Sequence, residues 1–401
     1  MTEAADRKPL LLVLASTYPR WKDDPEPGFV HELSRRLTAT FDVVVVCPHA
    51  RGAKRRETFD GVEVVRYRYA PDALETLVND GGVVTNLRRA RWKWLLVPGF
   101  VVAQWWAASR ALRRRRPAAV HAHWLVPQGA VAAAIGGARV PFVVTSHGAD
   151  LFALRGPVPT AIKRWVVRRA RAMTVVSEAM LGEARSLGAA DGAVRVRPMS
   201  VDLDERFTPD ARVERSPDEI LFVGRLVEKK GLRHLIAAMP AIRAARPTAF
   251  LTVAGFGPEE EACRRLVAAL DLGDAVRFLG AVRQPDLPAL YRRAALLVAP
   301  FVRAGSGDQE GLGLVMVEAL GCACPVLAGD VPAVRDLPVP TVAAEDTNAL
   351  AGNVLALLSA DPDARAQRTA VQREQVLARF GWSAATSDYA AILSAAARGE
   401  P

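Results

Sequence analysis

Residues 218–257 read DEILFVGRLVEKKGLRHLIAAMPAIRAARPTAFLTVAGFG. Two short apolar runs, Ile220–Val223 and Phe250–Ala254, flank a segment, 231–245, whose apolar residues recur at helical spacing. The runs do not alternate apolar with polar, so each predicts a strand buried on both faces. A strand, a helix and a second buried strand make one parallel βαβ unit. Toward the C-terminus the same rhythm predicts strands at Val276–Leu279, Leu296–Ala299 and Pro325–Ala328, with helices at 259–270, 286–293, 313–321, 347–359 and 361–379. Toward the N-terminus, strands are expected at Leu10–Ala15, Val43–Val46, Ala118–His121, Phe142–Thr145 and Met173–Val176, with helices near 28–39, 128–136, 160–171 and 178–187. The rhythm breaks at 197–219, a polar stretch with three prolines and no period. The expected fold class is therefore α/β, with two Rossmann-like, doubly wound parallel-sheet domains. The expected boundaries are 1–198, a linker at 199–217, a second domain at 218–381 and a last helix at 382–401.

In such a pair, ligands bind outside the carboxyl ends of the strands, so the interdomain cleft is the expected site. After Val223, GRLVEKKG sets Arg225 and Lys230 beside a helix start. Two cations at a helix N-terminus suit a diphosphate, and a solvated basic loop fits the spacing as well. After Ala254, GFGPEEE gives a tight turn, without the third glycine of a dinucleotide fingerprint. After Ala299 comes PFVRAGSGDQEGLGLVMVEALGCACPV, a Gly/Ser/Asp loop feeding an apolar helix. Backbone N–H groups of such a loop can cradle phosphate. Glu310 lies in the loop, and Glu318 is expected about two turns into the helix. A carboxylate among Leu314–Leu320 needs a partner. Sugar hydroxyls, a nearby cation or solvent would each serve.

These motifs carry a resemblance. Glu310, seven intervening residues and Glu318 match the E-x7-E signature of the family-4 retaining glycosyltransferases. GRLVEKKG matches their G-R-L-x-x-x-K-G element, and GAVRQPDLPALYRRA resembles G-x-V-x-x-x-x-L-x-x-x-Y-x-x-A. The run EGLGLVMVEALGCACPVLA is similar to E-G-F-G-L-x-x-x-E-A-x-x-x-G-x-P-V-x-A, with Leu312 in place of the Phe and Ala323 in place of the later Gly. The resemblance implies a GT-B fold with the nucleotide sugar held mainly by the C-terminal domain. It implies Arg225 and Lys230 on the donor diphosphate, Glu310 on donor-sugar hydroxyls and Glu318 on the ribose. The backbone at Gly311, Leu312 and Gly313 would lie against phosphate and sugar. No further cofactor and no metal are expected; the nucleotide-diphosphate sugar is the donor substrate.

In the N-terminal half, VVTSHGAD places His147 just after a strand. A lone His there is commonly structural. H-G-x-D also resembles the family element whose His faces the reacting sugar, so His147 and Glu310 are the two residues expected at the reacting centre. VHAHW sets His121 and His123 on one side of a strand end, read as structural or cleft-lining, with no third ligand for a metal. Asp202-x-Asp204 resembles a metal-binding D-x-D but falls in the linker and is read as linker structure. The stretch STYPRWKDDPEPGFVHEL replaces the Gly-Gly loop common in the family. Its S-x-Y-P opening resembles bacterial members linked with surface polysaccharides and glycolipids.

The excess of positive charge is confined to one segment. The chain carries 53 Lys and Arg against 43 Asp and Glu over 401 residues. Gly81–Ala149 contains no acidic residue and ten basic ones, which account for the whole excess of +10. Residues 86–116, NLRRARWKWLLVPGFVVAQWWAASRALRRRR, hold four of the eight tryptophans between basic clusters, with an apolar stretch interrupted by Pro98 and Gly99. Such a segment suits peripheral contact with an anionic bilayer. It equally suits a helix with its apolar face in the core and Arg heads in water. No helix-turn-helix, RNA-binding or zinc signature accompanies the charge, so no nucleic-acid partner is expected. Four unpaired cysteines and the absence of a signal-peptide pattern point to a cytoplasmic protein, associated with the inner face of the plasma membrane if the basic segment touches lipid.

The expected function is retaining transfer of a sugar from a nucleotide-diphosphate sugar to a hydroxyl acceptor such as a lipid-linked glycan, glycolipid or polysaccharide precursor. Two other readings stay open: a non-catalytic sugar-binding partner subunit, and a nucleotide-sugar epimerase of the same fold.

Overall fold

The computed structural model describes residues 8–22, 24, 28–79, 82–136, 140–152, 154–190 and 192–400. Arg139, one of the ten basic residues above, lies outside them. The chain divides into two compact units, Met1–Arg197 with Ala385–Pro401, and Pro198–Ala384.

The first unit is built on eight strands: β1 Leu10–Leu14, β2 Asp42–Pro48, β3 Arg56–Phe59, β4 Val62–Tyr67, β5 Ala119–His123, β6 Phe142–Ser146, β7 Ala172–Val175 and β8 Val194–Val196. Their order is β3-β4-β2-β1-β5-β6-β7-β8. The pairs are parallel except β3 with β4. That antiparallel hairpin closes one edge of an otherwise parallel sheet. Its signal was Asp60-Gly61 between alternating residues, and both take positive φ (48° and 80°), as a two-residue hairpin turn requires.

The second unit carries β9 Glu219–Val223, β10 Phe250–Ala254, β11 Val276–Gly280, β12 Leu296–Ala299, β13 Val326–Gly329 and β14 Thr341–Val342. The order is β11-β10-β9-β12-β13-β14, parallel throughout. The opening βαβ unit is β9, the helix Leu232–Ala245 and β10. That helix buries Leu232, Leu235, Ile236, Met239 and Ile242, one face at i, i+3, i+4, i+7 spacing, against Phe222, Leu251 and Val253. It starts at Gly231 with φ 68°; a Cβ there would lie 1.8 Å from the Pro300 oxygen. Only glycine lets the β9 exit approach the β12 exit this closely.

Residues 198–217 belong to the second unit. Met199, Val201, Leu203 and Phe207 are buried, and Val201 bridges to Gly381. Four apolar side chains among prolines and charges leave no period to read, yet they pack.

Both sheets change direction of winding at one place. In the second unit this is between β9 and β12, and in the first between β1 and β5. The loops leaving these strands are where ligand groups are expected to gather.

Candidate active site

In the second unit, GRLVEKKG leaves β9 and forms a 3₁₀ turn at Glu228–Lys230. Residues 300–313 leave the neighbouring β12 and lead into the helix Leu314–Gly321. Three consecutive side chains fasten the second loop to the first. Glu228 Oε1 accepts from the Gly305 N–H at 2.9 Å. Lys229 Nζ reaches Asp308 Oδ1 at 3.4 Å and donates to the Gln309 carbonyl at 3.3 Å. Lys230 Nζ pairs with Glu310 Oε2 at 2.8 Å and lies 4.6 Å from the Phe301 ring centroid. The Lys230 and Glu310 side chains are only 12% and 15% exposed, so their charges meet little screening.

Burial opposes the Glu310 charge, but Lys230 and Lys229, with Arg225 behind them, overcome it and hold the carboxyl down at about 2. Burial pushes the Lys230 ammonium down, against the pull of Glu310. Arg225 is half-buried, and its charge acts on both members of the pair. Arg225, Lys230 and Glu310 thus form one electrostatic cluster at the switch point of the sheet.

Glu318 is the fifth residue of the helix Leu314–Gly321, just over one turn in rather than two, because the helix begins only after Gly313. Gly313 has φ 74°, and a Cβ there would lie 2.7 Å from both Phe301 and Met316. Glu318 is buried, and its partner is the Tyr291 hydroxyl, which donates to Oε2 at 2.7 Å. Burial raises the Glu318 carboxyl in spite of hydrogen bonds from Tyr291 and Gln284. Tyr291 was given no role in the sequence reading. Its signal was present as the tyrosine of GAVRQPDLPALYRRA. Gly311, Leu312 and Gly313 are all buried at the entry to the helix.

In the first unit, His147 follows β6. Asp150 fastens that loop: its carboxylate accepts from Ser146 Oγ at 2.9 Å, His147 N at 3.2 Å and Leu125 N at 2.7 Å. It therefore ties the β6 exit to the β5 exit. His147 is half-buried between Phe29 and Trp124, with ring centroids 4.9 and 4.8 Å away. His123 Nδ1 lies 3.0 Å from His147 Nε2. His121 and His123 are fully buried. Burial pushes His121 and His147 down to about 3, and His123 down as well, so these rings are neutral at neutral pH. The described residues include one His/Asp/Glu group with ligand-type atoms within 4.8 Å, His49, Asp72 and Glu75. Arg68 pairs with both of its carboxylates, at 3.0 and 3.3 Å, which makes it an ion-pair network.

The basic segment folds as the helix Val83–Arg89, a 3₁₀ turn Arg91–Leu96 and the helix Val97–Arg115. Pro98 opens the long helix instead of interrupting it, because the N–H it lacks would be unpaired there anyway. Gly99 lets the helix approach the Tyr69 carbonyl, 2.8 Å from where a Cβ would be. Leu96, Phe100 and Ala108 face the core. Trp92, Trp94, Leu95, Val102, Trp105 and Trp106 face outward, 44–82% exposed, with exposed arginines at both ends. No helix of the described residues is long and apolar enough to cross a membrane.

Two family profiles match the chain, "Glycosyl transferases group 1" over residues 205–373 and "Glycosyltransferase Family 4" over 29–205. The chain belongs to the family-4 glycosyltransferases and is a retaining glycosyltransferase of the GT-B class, an enzyme that transfers a sugar from a nucleotide sugar. It is 29% identical over 396 residues to a glycogen synthase of Mycobacterium tuberculosis, covering 92% of this chain and 91% of the relative. It is 30% identical over 256 residues to a GDP-mannose-dependent monoacylated alpha-(1-6)-phosphatidylinositol monomannoside mannosyltransferase of Corynebacterium glutamicum, covering 60% and 66%. Sucrose-phosphate synthase from Thermosynechococcus elongatus shares the fold at a TM-score of 0.77 and 22% identity, covering 96% of this chain and 98% of that one.

Proposed function

We propose that the second unit binds the donor, with Arg225 and Lys230 on the diphosphate, Glu310 on sugar hydroxyls, Glu318 on the ribose and the Gly311–Gly313 backbone against phosphate and sugar. The observation that carries this reading is the buried Lys230–Glu310 pair. A diphosphate arriving at Lys230 replaces one anionic partner with another. The freed Glu310 carboxylate then meets hydroxyl donors of the sugar, so neither charge is left unpaired. As the glycosidic bond to the diphosphate breaks, charge grows on the leaving group. Arg225 and Lys230 are pre-positioned to stabilise it. His147, neutral, donates a hydrogen bond to the sugar or to a phosphate oxygen. Glu310, held as an ion pair, orients and is not assigned as a nucleophile.

A thermal-shift panel of UDP, GDP, ADP and their sugars tests the donor assignment. One nucleotide sugar should stabilise the wild type, and the shift should vanish in Lys230→Ala. An equal shift in both would remove the assignment.

The acceptor is a lipid-linked or glycolipid hydroxyl, reached while the first unit rests on the inner face of an anionic membrane through residues 86–116. Supporting this are six outward apolar side chains, four of them tryptophans, flanked by arginines. The mannosyltransferase relative is named for a phosphatidylinositol mannoside acceptor. Co-sedimentation with vesicles of phosphatidylglycerol and phosphatidylcholine should be strong at low salt and lost in Trp105→Ser/Trp106→Ser. Absence of binding by the wild type would remove the membrane assignment.

A further inference from the structure

His121 and His123, two residues apart on β5, belong to a polar chain that runs through the first unit. At its far end the Tyr389 hydroxyl lies 3.5 Å from the Arg197 carbonyl oxygen. A carbonyl only accepts, so Tyr389 donates there and can accept from Thr174 Oγ1 at 3.3 Å. Thr174 then accepts from Thr145 Oγ1 at 2.7 Å, and Thr145 accepts from His121 Nε2 at 2.8 Å. Followed from the carbonyl in this direction, the chain has His121 donating from Nε2. Its Nδ1 is a lone pair, buried and without a partner among the described residues.

The same accounting applies to His123. Its Nδ1 lies 3.0 Å from His147 Nε2, with the two rings within 14° of one plane and centroids 5.2 Å apart, the edge-on geometry of a hydrogen bond. Its Nε2 is buried with no partner among the described residues. If His147 were the donor, the His123 proton would sit on Nε2 as a buried N–H without an acceptor. If His123 is the donor, a lone pair sits there instead. Orphaned buried N–H groups are the rarer of the two. The proton therefore belongs on His123 Nδ1, and a neutral His147 must carry its own on Nδ1.

We propose that His123 is a positioning residue: by donating from Nδ1 to His147 Nε2, it holds His147 in the tautomer that presents an Nδ1–H donor to a substrate oxygen. The proposal rests on the reading of His147 as a substrate-facing group. It gives His121-x-His123 a division of labour. His121 is anchored through Thr145 and Thr174 to Tyr389 of the helix Trp382–Arg398, and its ring packs 4.2 Å from that of His123. His123 passes the resulting fixed orientation to His147.

Long-range ¹⁵N–¹H correlation spectra of ¹⁵N-histidine-labelled protein read each tautomer directly, with His123→Asn and His147→Ala supplying assignments. Protons on His121 Nε2, His123 Nδ1 and His147 Nδ1 are expected. A proton on His147 Nε2 overturns the proposal whatever the kinetics show. Activity is then measured as hydrolysis of whichever of UDP-glucose, GDP-mannose and ADP-glucose the wild type turns over fastest. His123→Asn keeps an N–H donor near the Nδ1 position and should hold kcat within about 5-fold. His123→Leu removes the donor and should lower kcat by about 100-fold with donor KM within about 2-fold, the scale of a lost positioned hydrogen-bonding group. Equal losses in the two variants would overturn the proposal. If His123→Leu does not fold, the wild-type spectrum and the Asn variant decide. Should His147→Ala turn over donor as fast as wild type, the substrate-facing role of His147 fails, while the tautomer assignment is still read from the spectrum.

Discussion

The loop pair of the second unit and the histidine chain of the first solve the same problem with opposite chemistry. Each must hold polar side chains still at the carboxyl end of a parallel sheet. The second unit does it with charge: Glu228, Lys229 and Lys230 each fasten the 305–310 loop, and the buried Lys230–Glu310 pair keeps both groups ionised. The first unit does it with neutral rings and hydroxyls along β5 and β6, both buried on both faces, and with the Asp150 carboxylate holding backbone N–H groups and Ser146 at the strand exits. A charged cluster can exchange partners with an anionic ligand. A neutral chain cannot exchange charge, but it can fix which nitrogen holds a proton.

Acid separates the two most sharply. His121 and His123 have folded-state values depressed below the unfolded 6.5. Below pH 6.5 the unfolded chain therefore binds protons that the folded chain refuses, and stability falls as pH falls. For His121, depressed to about 3, the loss is about 2 kcal/mol by pH 5, and His123 adds to it in the same direction. Glu310, depressed to about 2, contributes stability that is complete above about 4.5 and is lost only as pH falls through the range from there to 2. Denaturant midpoints between pH 7 and 5 should drop steeply. Replacing both histidines by Gln should reduce that slope, leaving the part that His147, also depressed, contributes, and an unchanged slope would break the contrast.

Removing the charged device comes next in size. Glu310→Ala should lower donor hydrolysis by about 10²–10³-fold, the range for a lost preorganised electrostatic contact. Wild-type rates in the variant would remove Glu310 from the site. Tyr291→Phe asks whether Glu318 belongs with the charged or the neutral mode of holding. Deleting the hydroxyl leaves a buried carboxyl oxygen short of its donor, and unfolding free energy should fall by about 1–3 kcal/mol, read from urea titrations. A smaller effect of opposite sign is expected at Ala323, which has φ 55° where an L side chain is strained. Ala323→Gly should raise stability by up to about 1 kcal/mol, seen as a higher melting temperature, with no change in pH dependence.

That last residue shows how legibility worked. Ala323 stood out as a departure from the family's glycine, and the backbone explains why glycine belongs there. Arg225, Lys230, Glu310 and Glu318 were singled out because strand exits carry short motifs in which charge and glycine stand at set spacing. Tyr291 was quoted within such a motif without being given a role, since nothing in the spacing says that its hydroxyl ends 2.7 Å from Glu318. The β3–β4 hairpin was missed because its strands are short and half polar, although its Asp-Gly turn was in view. The four tryptophans of 92–106 fitted a buried face as well as an exposed one until the helix was seen to turn Phe100 and Ala108 inward.

The α/β class, two parallel sheets and the loop motifs at the strand exits follow from local facts: apolar runs of strand length, helical periods between them, and turn residues at strand ends. These survive without tertiary detail because burial on both faces of a strand writes itself into consecutive residues. Which side chains pair is decided by packing between segments far apart in the chain. Lys230 and Glu310 are 80 positions apart, and His123 and His147 are 24. The direction of the proton chain depends on one carbonyl at Arg197 meeting a tyrosine 192 residues away. Such contacts leave no period in the sequence, since each needs only one atom to arrive at one place.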